Sequence, residues 1–273
     1  MFLKCFGHLP VSAEGNKKVD KKVILGFFAF FLTNLLLAPD SASAFPKVYS
    51  PIIEQGEVEI EHEGLYTFDK QKEKDRAQTE KFAIGYGITD RWATEVYGEV
   101  ENDREAEKGM DFKNTEWENR FQFFEPGQYW LDAGFYIAYE FAAKDRESDK
   151  LETKLLLEKQ SGDFVHTANL VLEREIGGKP AEDEEKVKHQ WEGGVAWSSR
   201  YRWKQVFEPG VEIHYNAKAL NERTSFNEQE FQIGPALYGK VGPIKYDMGY
   251  LFGVTDASSN GTLKWVVEYE MKF

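Results

Sequence analysis

A residue period of two constrains this sequence more than any other feature. In residues 57–68 (EVEIEHEGLYTF), glutamates at 57, 59, 61 and 63 alternate with Val58, Ile60 and His62. A period of two places the two kinds of side chain on opposite faces of a β-strand. A helix would need apolar residues three and four positions apart, and this segment lacks that spacing. The segment therefore predicts a strand with one apolar face and one acidic face.

Twelve segments of the sequence share this alternation, and no segment with a helical period separates them. This regular spacing excludes an α/β fold and leaves two architectures, a soluble β-sandwich and a closed membrane barrel. The apolar faces run through Val58–Phe68, Phe82–Ile88, Trp92–Val100, Thr115–Phe123, Leu131–Phe141, Leu151–Leu157, Ala168–Leu172, Trp191–Trp197, Val211–Tyr215, Phe231–Leu237, Ile244–Phe252 and Leu263–Phe273.

The connections between these segments favour the barrel. Short connections are expected at 89–91, 125–127, 161–163, 199–201 and 241–243, and longer charged ones at 69–78, 102–110, 143–150, 175–188 and 217–227, with a shorter last one at 256–261. Short turns on one side, long loops on the other and aromatic residues near the strand ends are typical of outer-membrane barrels. The mean hydropathy of −0.56 excludes a multi-helix membrane protein, but not a barrel. The sequence predicts an all-β, twelve-stranded antiparallel transmembrane β-barrel with up-and-down topology.

The N-terminal region has the composition of a secretory signal peptide. Four lysines between positions 17 and 22 precede the uncharged run Val23–Ala38, and Ala42-Ser43-Ala44 supplies the small residues that signal peptidase recognises. The alternative is a membrane anchor, but this run of 16 residues is shorter than the roughly 20 that a spanning helix needs. We expect a signal peptide at residues 1–44 and a barrel at 45–273. The one cysteine, Cys5, lies before the cut, so a disulfide framework is excluded.

The last predicted strand carries a family resemblance. Leu263, Trp265, Val267, Tyr269 and Met271 alternate up to Phe273, and this ending resembles the assembly signal of bacterial outer-membrane β-barrel proteins. The segment 85–92 (GYGITDRW) is similar to a strand–turn–strand element of transporter-type barrels linked to phenol-degradation operons. The resemblance implies a Gram-negative outer membrane, delivery to the barrel-assembly machinery, and contact with membrane lipid and lipopolysaccharide. Because the net charge is −13, a nucleic-acid partner is not expected.

If the apolar faces meet lipid, the opposite faces line the interior of the barrel. Two interpretations stay open for this lumen. Excess glutamate makes a negative pore that passes small solutes or cations. Alternatively, the charged groups pair into a plug, and the barrel has a structural or surface-interaction role. The predicted lumen-lining residues are Glu59, Glu61, Glu95, Glu99, Glu116, Glu118, Arg120, Asp132, Glu140, Lys154, Glu192, Glu212, Lys245, Asp247, Lys264 and Glu268.

Signals for an enzyme are weak in this sequence. Some outer-membrane barrels hydrolyse lipids with a histidine and a serine on the lipid-facing side, and a lipid-modifying enzyme is therefore the third hypothesis. The nearest candidate, His166-Thr167-Ala168-Asn169, has no serine nucleophile, and the histidines lack metal-ligand spacing. We predict no catalytic residue, no cofactor and no metal site.

Overall fold

The computed structural model of the chain describes residues 46–72, 74–102, 109–143, 148–177, 191–220 and 224–272. The predicted signal peptide and the predicted assembly signal at Phe273 lie outside these residues. In the part of the chain that is described, no helix is long and apolar enough to cross a membrane.

Twelve antiparallel strands form one closed barrel, in which each strand pairs with its neighbours in sequence and β1 pairs with β12. Closure of the sheet leaves no strand edge unpaired, and it satisfies the backbone hydrogen-bonding groups that a lipid environment cannot. This architecture confirms the predicted fold class. The strands are β1 (Glu57–Phe68), β2 (Gln78–Thr89), β3 (Trp92–Asn102), β4 (Met110–Gln122), β5 (Asp132–Ala142), β6 (Asp149–Ser161), β7 (Phe164–Ile176), β8 (Trp191–Tyr201), β9 (Glu208–Ala219), β10 (Glu230–Val241), β11 (Ile244–Gly253) and β12 (Gly261–Lys272).

The connections divide the barrel into two ends. Connections at 90–91, 123–131, 162–163, 202–207 and 242–243 lie at one end, here called the turn end. The other connections, and the start of every even-numbered strand, lie at the loop end. Two turn-end connections are longer than the predicted 125–127 and 199–201. Strand β8 continues through Tyr201, and residues 202–207 then form a small loop closed by a bridge between Lys204 and Phe207.

The two faces of the barrel wall have opposite polarity. Large apolar side chains are exposed on the outer face, for example Ile84 (60%), Trp117 (50%) and Leu170 (47%). Charged side chains such as Glu118 and Lys264 are buried inside. Soluble proteins have the opposite arrangement, with apolar cores and charged surfaces. The wall therefore fits an apolar surrounding and a polar interior.

Residues 46–56, here called the N-terminal segment, lie inside the barrel before β1 begins. The Pro46 carbonyl accepts a hydrogen bond from Lys264 of β12, and the Ile53 amide donates one to Gln122 of β4. At the turn end, Gly56 has a φ of 76°, which favours glycine, and the chain reverses there into β1. The segment thus runs within the lumen from its middle to the turn end.

Candidate functional site: the barrel lumen

The sixteen residues predicted to line the lumen are all at least half-buried. Seven of them are partly accessible, namely Glu59, Arg120, Asp132, Glu140, Glu192, Lys245 and Asp247. The other nine are buried, namely Glu61, Glu95, Glu99, Glu116, Glu118, Lys154, Glu212, Lys264 and Glu268. Asp132 lies at the turn end, where its Oδ1 accepts a hydrogen bond from the Gly127 amide at 2.6 Å. Glu140 lies opposite Lys150 of the neighbouring strand β6, and the others belong to the paired networks described next or border the cavities described below.

Lys47 of the N-terminal segment is at the centre of the first network. Its Nζ forms ion pairs with Glu61 and with Glu63, the latter at 2.8 Å, and donates to the Tyr97 hydroxyl at 2.9 Å. Burial lowers the pKa of the Lys47 ammonium, but the two carboxylates outweigh that effect and hold the pKa well above its ordinary value. Lys47 therefore carries a positive charge in the middle of the lumen.

Three further cations continue this network around the wall formed by β2–β6. Lys81 pairs with Glu116 at 2.8 Å and with Glu99 at 3.3 Å. Arg120 pairs with Glu95 and Glu59, and Lys154 pairs with Glu152 at 2.7 Å. Buried charges cost free energy unless they are paired, so these contacts explain how the carboxylates are accommodated.

Glu118 is held by hydroxyl groups. Its Oε1 accepts hydrogen bonds from Tyr49 and Tyr136, both at 2.8 Å. The Tyr49 and Tyr136 rings are 4.9 Å apart, and the Lys154 ammonium lies 4.3 and 4.2 Å from their centroids. The Tyr49 side chain of the N-terminal segment thus packs against the wall.

A second network lies on the opposite wall, on β9–β12. Lys264 is fully buried and contacts Glu212 and Asp247, both at 2.8 Å, as well as the Pro46 carbonyl at 3.2 Å. Glu212 also accepts a hydrogen bond from Tyr238 at 2.5 Å. This network fixes the start of the N-terminal segment.

The middle of the N-terminal segment is anchored by Asn169 of β7. The Asn169 side chain accepts a hydrogen bond from the Tyr49 amide at 2.8 Å and donates one to the Tyr49 carbonyl at 2.9 Å. Two glycines allow the segment to lie against the wall. A Cβ at Gly87 would be 2.0 Å from the Glu54 carbonyl oxygen, and one at Gly134 would be 3.0 Å from Pro51. These contacts make the segment an integral part of the lumen.

Two cavities border the N-terminal segment. The larger one, at the turn end, has a volume of about 490 Å³ and is bordered by ten acidic and six basic side chains. The smaller one, toward the loop end, has a volume of about 80 Å³ and includes Glu152, Glu173, Glu192 and Glu230 in its lining. Both cavities are bordered by more acidic than basic side chains.

A carboxylate cluster lies in the turn-end cavity. Oxygens of Glu57, Glu59 and Glu270 are all within 4.8 Å of one another, a spacing that a metal ion could bridge. Lys240 and Lys245 already pair with Glu270, however, and Arg120 pairs with Glu59. Three cations therefore already neutralise part of the charge of this cluster.

His166 lies among aromatic side chains on β7 and β8. His166 stacks between Phe164 and Trp197, with centroid distances of 6.1 and 6.2 Å. Asn169, three residues later, points into the lumen, so the two side chains lie on opposite faces of β7. The structure therefore does not bring together the His–Asn pair considered from the sequence.

Sequence reasoning missed the N-terminal segment and the groups that hold it. Lys81, Tyr97 and Asn169 could have been found, because the alternation places them on the inner face of their strands. Lys47 and Tyr49 could not, because they precede the first strand and follow no alternation. The remaining signal was a short stretch without strand character between the predicted cleavage site and β1.

Comparison with solved structures supports this fold assignment. No family model matches the sequence, and no curated protein does. The NanC porin is similar, with a TM-score of 0.55 and 9% sequence identity. The match covers 78% of this chain and 99% of the porin chain. An outer-membrane channel from Pseudomonas putida F1 is similar with a TM-score of 0.56 and 9% identity, covering 86% of this chain and 100% of its own. The fold is that of a bacterial outer-membrane β-barrel. At this identity, the similarity establishes the fold alone.

Proposed function

We propose that the protein is an outer-membrane channel that passes small solutes, cations in particular, along an acidic lumen. The observation that carries this proposal is the turn-end cavity of about 490 Å³, in which acidic side chains outnumber basic ones by ten to six. A charged cavity in a low-dielectric wall concentrates ions of the opposite sign. The porin and channel descriptions of the similar structures agree with this function.

The proposal includes a cellular location and a processing step. Signal peptidase would remove residues 1–44, and the barrel-assembly machinery would insert the chain among outer-membrane lipid and lipopolysaccharide. The exposed apolar outer face supports a membrane location. The position of Pro46 inside the lumen supports cleavage, because a retained leader of 44 or more residues would have to continue from the interior of the barrel.

A second function is favoured by the N-terminal segment. Because this segment and the ion-pair networks fill the middle of the lumen, a sealed barrel with a structural or surface-interaction role is the competing proposal. The two proposals differ in one measurable property, which is whether ions cross the barrel.

Single-channel recording separates the two proposals. The chain 45–273 and a variant that lacks residues 46–52 would be refolded and recorded in planar bilayers under a salt gradient. We expect small cation-selective steps for the first protein and a larger conductance for the deletion, because the deletion removes Lys47 and Tyr49 from the lumen. The matched control is Arg91→Ala, which removes an exposed ion pair with Glu125 at the turn end, outside the N-terminal segment, and should not change the conductance. If both the wild-type protein and the deletion variant fold but conduct no current, the channel proposal is wrong.

A further inference from the structure

The side chains around the Lys47 ammonium come mainly from the barrel wall. Glu61 and Glu63 belong to β1, and Tyr97 belongs to β3. All three are almost completely buried, with relative exposures of 4%, 1% and 1%. The closed sheet fixes these strands relative to one another. The group formed by Glu61, Glu63 and Tyr97, here called the receptor, therefore does not depend on the N-terminal segment for its position.

The chemistry of this receptor matches a primary ammonium group. The ammonium has three N–H donors, and here it meets two carboxylates and one phenol oxygen. The Tyr97 ring centroid lies 5.4 Å and the Tyr49 ring centroid 4.7 Å from the nitrogen, which adds cation–π attraction. A divalent metal ion would require more oxygen ligands at close range.

Lys47 reaches the receptor from the N-terminal segment, which is not part of the barrel wall. The backbone on either side of Lys47 is joined to the wall by hydrogen bonds of Pro46 and Tyr49. The Lys47 side chain donates its hydrogen bond to Tyr97 of the receptor. Lys47 therefore resembles a bound ligand that is covalently attached to the protein. It differs from an ion pair between two strands of the wall, such as that of Lys81 with Glu116.

We propose that Glu61, Glu63 and Tyr97 form a binding site for primary ammonium groups and that Lys47 is its tethered occupant. The solute class of the channel is then an organic primary ammonium cation, which competes with Lys47 as it passes. This second statement rests on the proposed channel function, whereas the binding site itself does not.

Chemical rescue tests the binding site without any measurement of conductance. Lys47→Ala removes three carbons and the ammonium, and propylammonium replaces those atoms. We expect the urea midpoint of the K47A variant in detergent micelles to fall and to recover with propylammonium chloride. Sodium chloride and tetramethylammonium chloride at equal concentration should not restore it, because neither cation offers N–H donors. Propylammonium should leave the urea midpoint of the wild-type protein unchanged, and likewise that of the control Lys272→Ala, which removes an exposed lysine at the turn end.

A triple variant keeps the experiment interpretable. K47A combined with Glu61→Gln and Glu63→Gln neutralises the receptor, so propylammonium should no longer stabilise it. Equal recovery of K47A with all three salts, or recovery of the triple variant, would overturn the site. If K47A folds only when propylammonium is present during refolding, that result supports the site. Failure to refold under both conditions counts against it.

Bilayer recording then tests the solute class. Propylammonium should block the K47A current at an about tenfold lower concentration than the wild-type current, because its competitor is absent. If propylammonium restores the stability of K47A but does not block its current, the binding site stands and the proposed solute class is wrong. Rescue of a barrel that conducts no ions would keep the site and overturn the channel proposal.

Discussion

The pairing of interior charges is the part of the lumen that alternation cannot predict. The face of Lys264 follows from its position in β12, but its partners Glu212 and Asp247 come from β9 and β11, and a third contact comes from Pro46. Which partners meet depends on the register and closure of the barrel. The sequence therefore predicts which residues point inward, but not that most of their charges are neutralised there.

Asn169 is the residue whose replacement should loosen the N-terminal segment most directly. Leucine at this position has a similar size but cannot bond to the Tyr49 amide or carbonyl, and Asn169 is fully buried. A buried polar group without a partner costs about 1–3 kcal/mol. We expect Asn169→Leu to lower the free energy of unfolding by at least that amount, measured by urea titration in micelles. The exposed Asn227, replaced by alanine, is the control and should change stability by less than about 0.5 kcal/mol. An unchanged midpoint for Asn169→Leu would contradict the anchoring role.

At the scale of elements, the number of strands was predictable, but several strand ends were not, most clearly at two turn-end connections. The alternation counts strands reliably, because each apolar face must be continuous to cover the barrel. The alternation does not show where hydrogen bonding between strands ends, because aromatic residues continue beyond the last paired residues. Phe123, Phe124 and Trp203 are exposed at the turn end, so they suit a strand or a connection equally well, and residues 123–131 and 202–207 form longer connections than expected.

The N-terminal segment depends on the glycine at position 87 for its path along the wall. Any Cβ there would meet the Glu54 carbonyl oxygen at 2.0 Å, and because that oxygen is backbone, the segment would have to move. We expect Gly87→Ala to raise single-channel conductance and to expose residues 46–56 to added protease. Gly98→Ala in β3 is the matched control, since its Cβ would meet only the Phe112 side chain at 3.6 Å. Identical conductance and proteolysis for Gly87→Ala and the wild-type protein would show that the segment does not close the lumen.

At the scale of the whole molecule, the inverted polarity of the barrel predicts where added charge is tolerated. Leu170 lies near the middle of β7 on the exposed apolar face, whereas Val254 lies at the loop end, just beyond β11. An arginine at the centre of the lipid face of a barrel costs about 2–4 kcal/mol, and near the interface about 0–1 kcal/mol. We expect Leu170→Arg to reduce the free energy of unfolding from phospholipid bilayers by the larger amount and Val254→Arg by the smaller. The two residues have similar exposures of 47% and 53%, so loss of packing cannot account for the difference. Equal costs at the two positions would mean that the outer face does not contact a lipid layer whose centre lies near the middle of the strands.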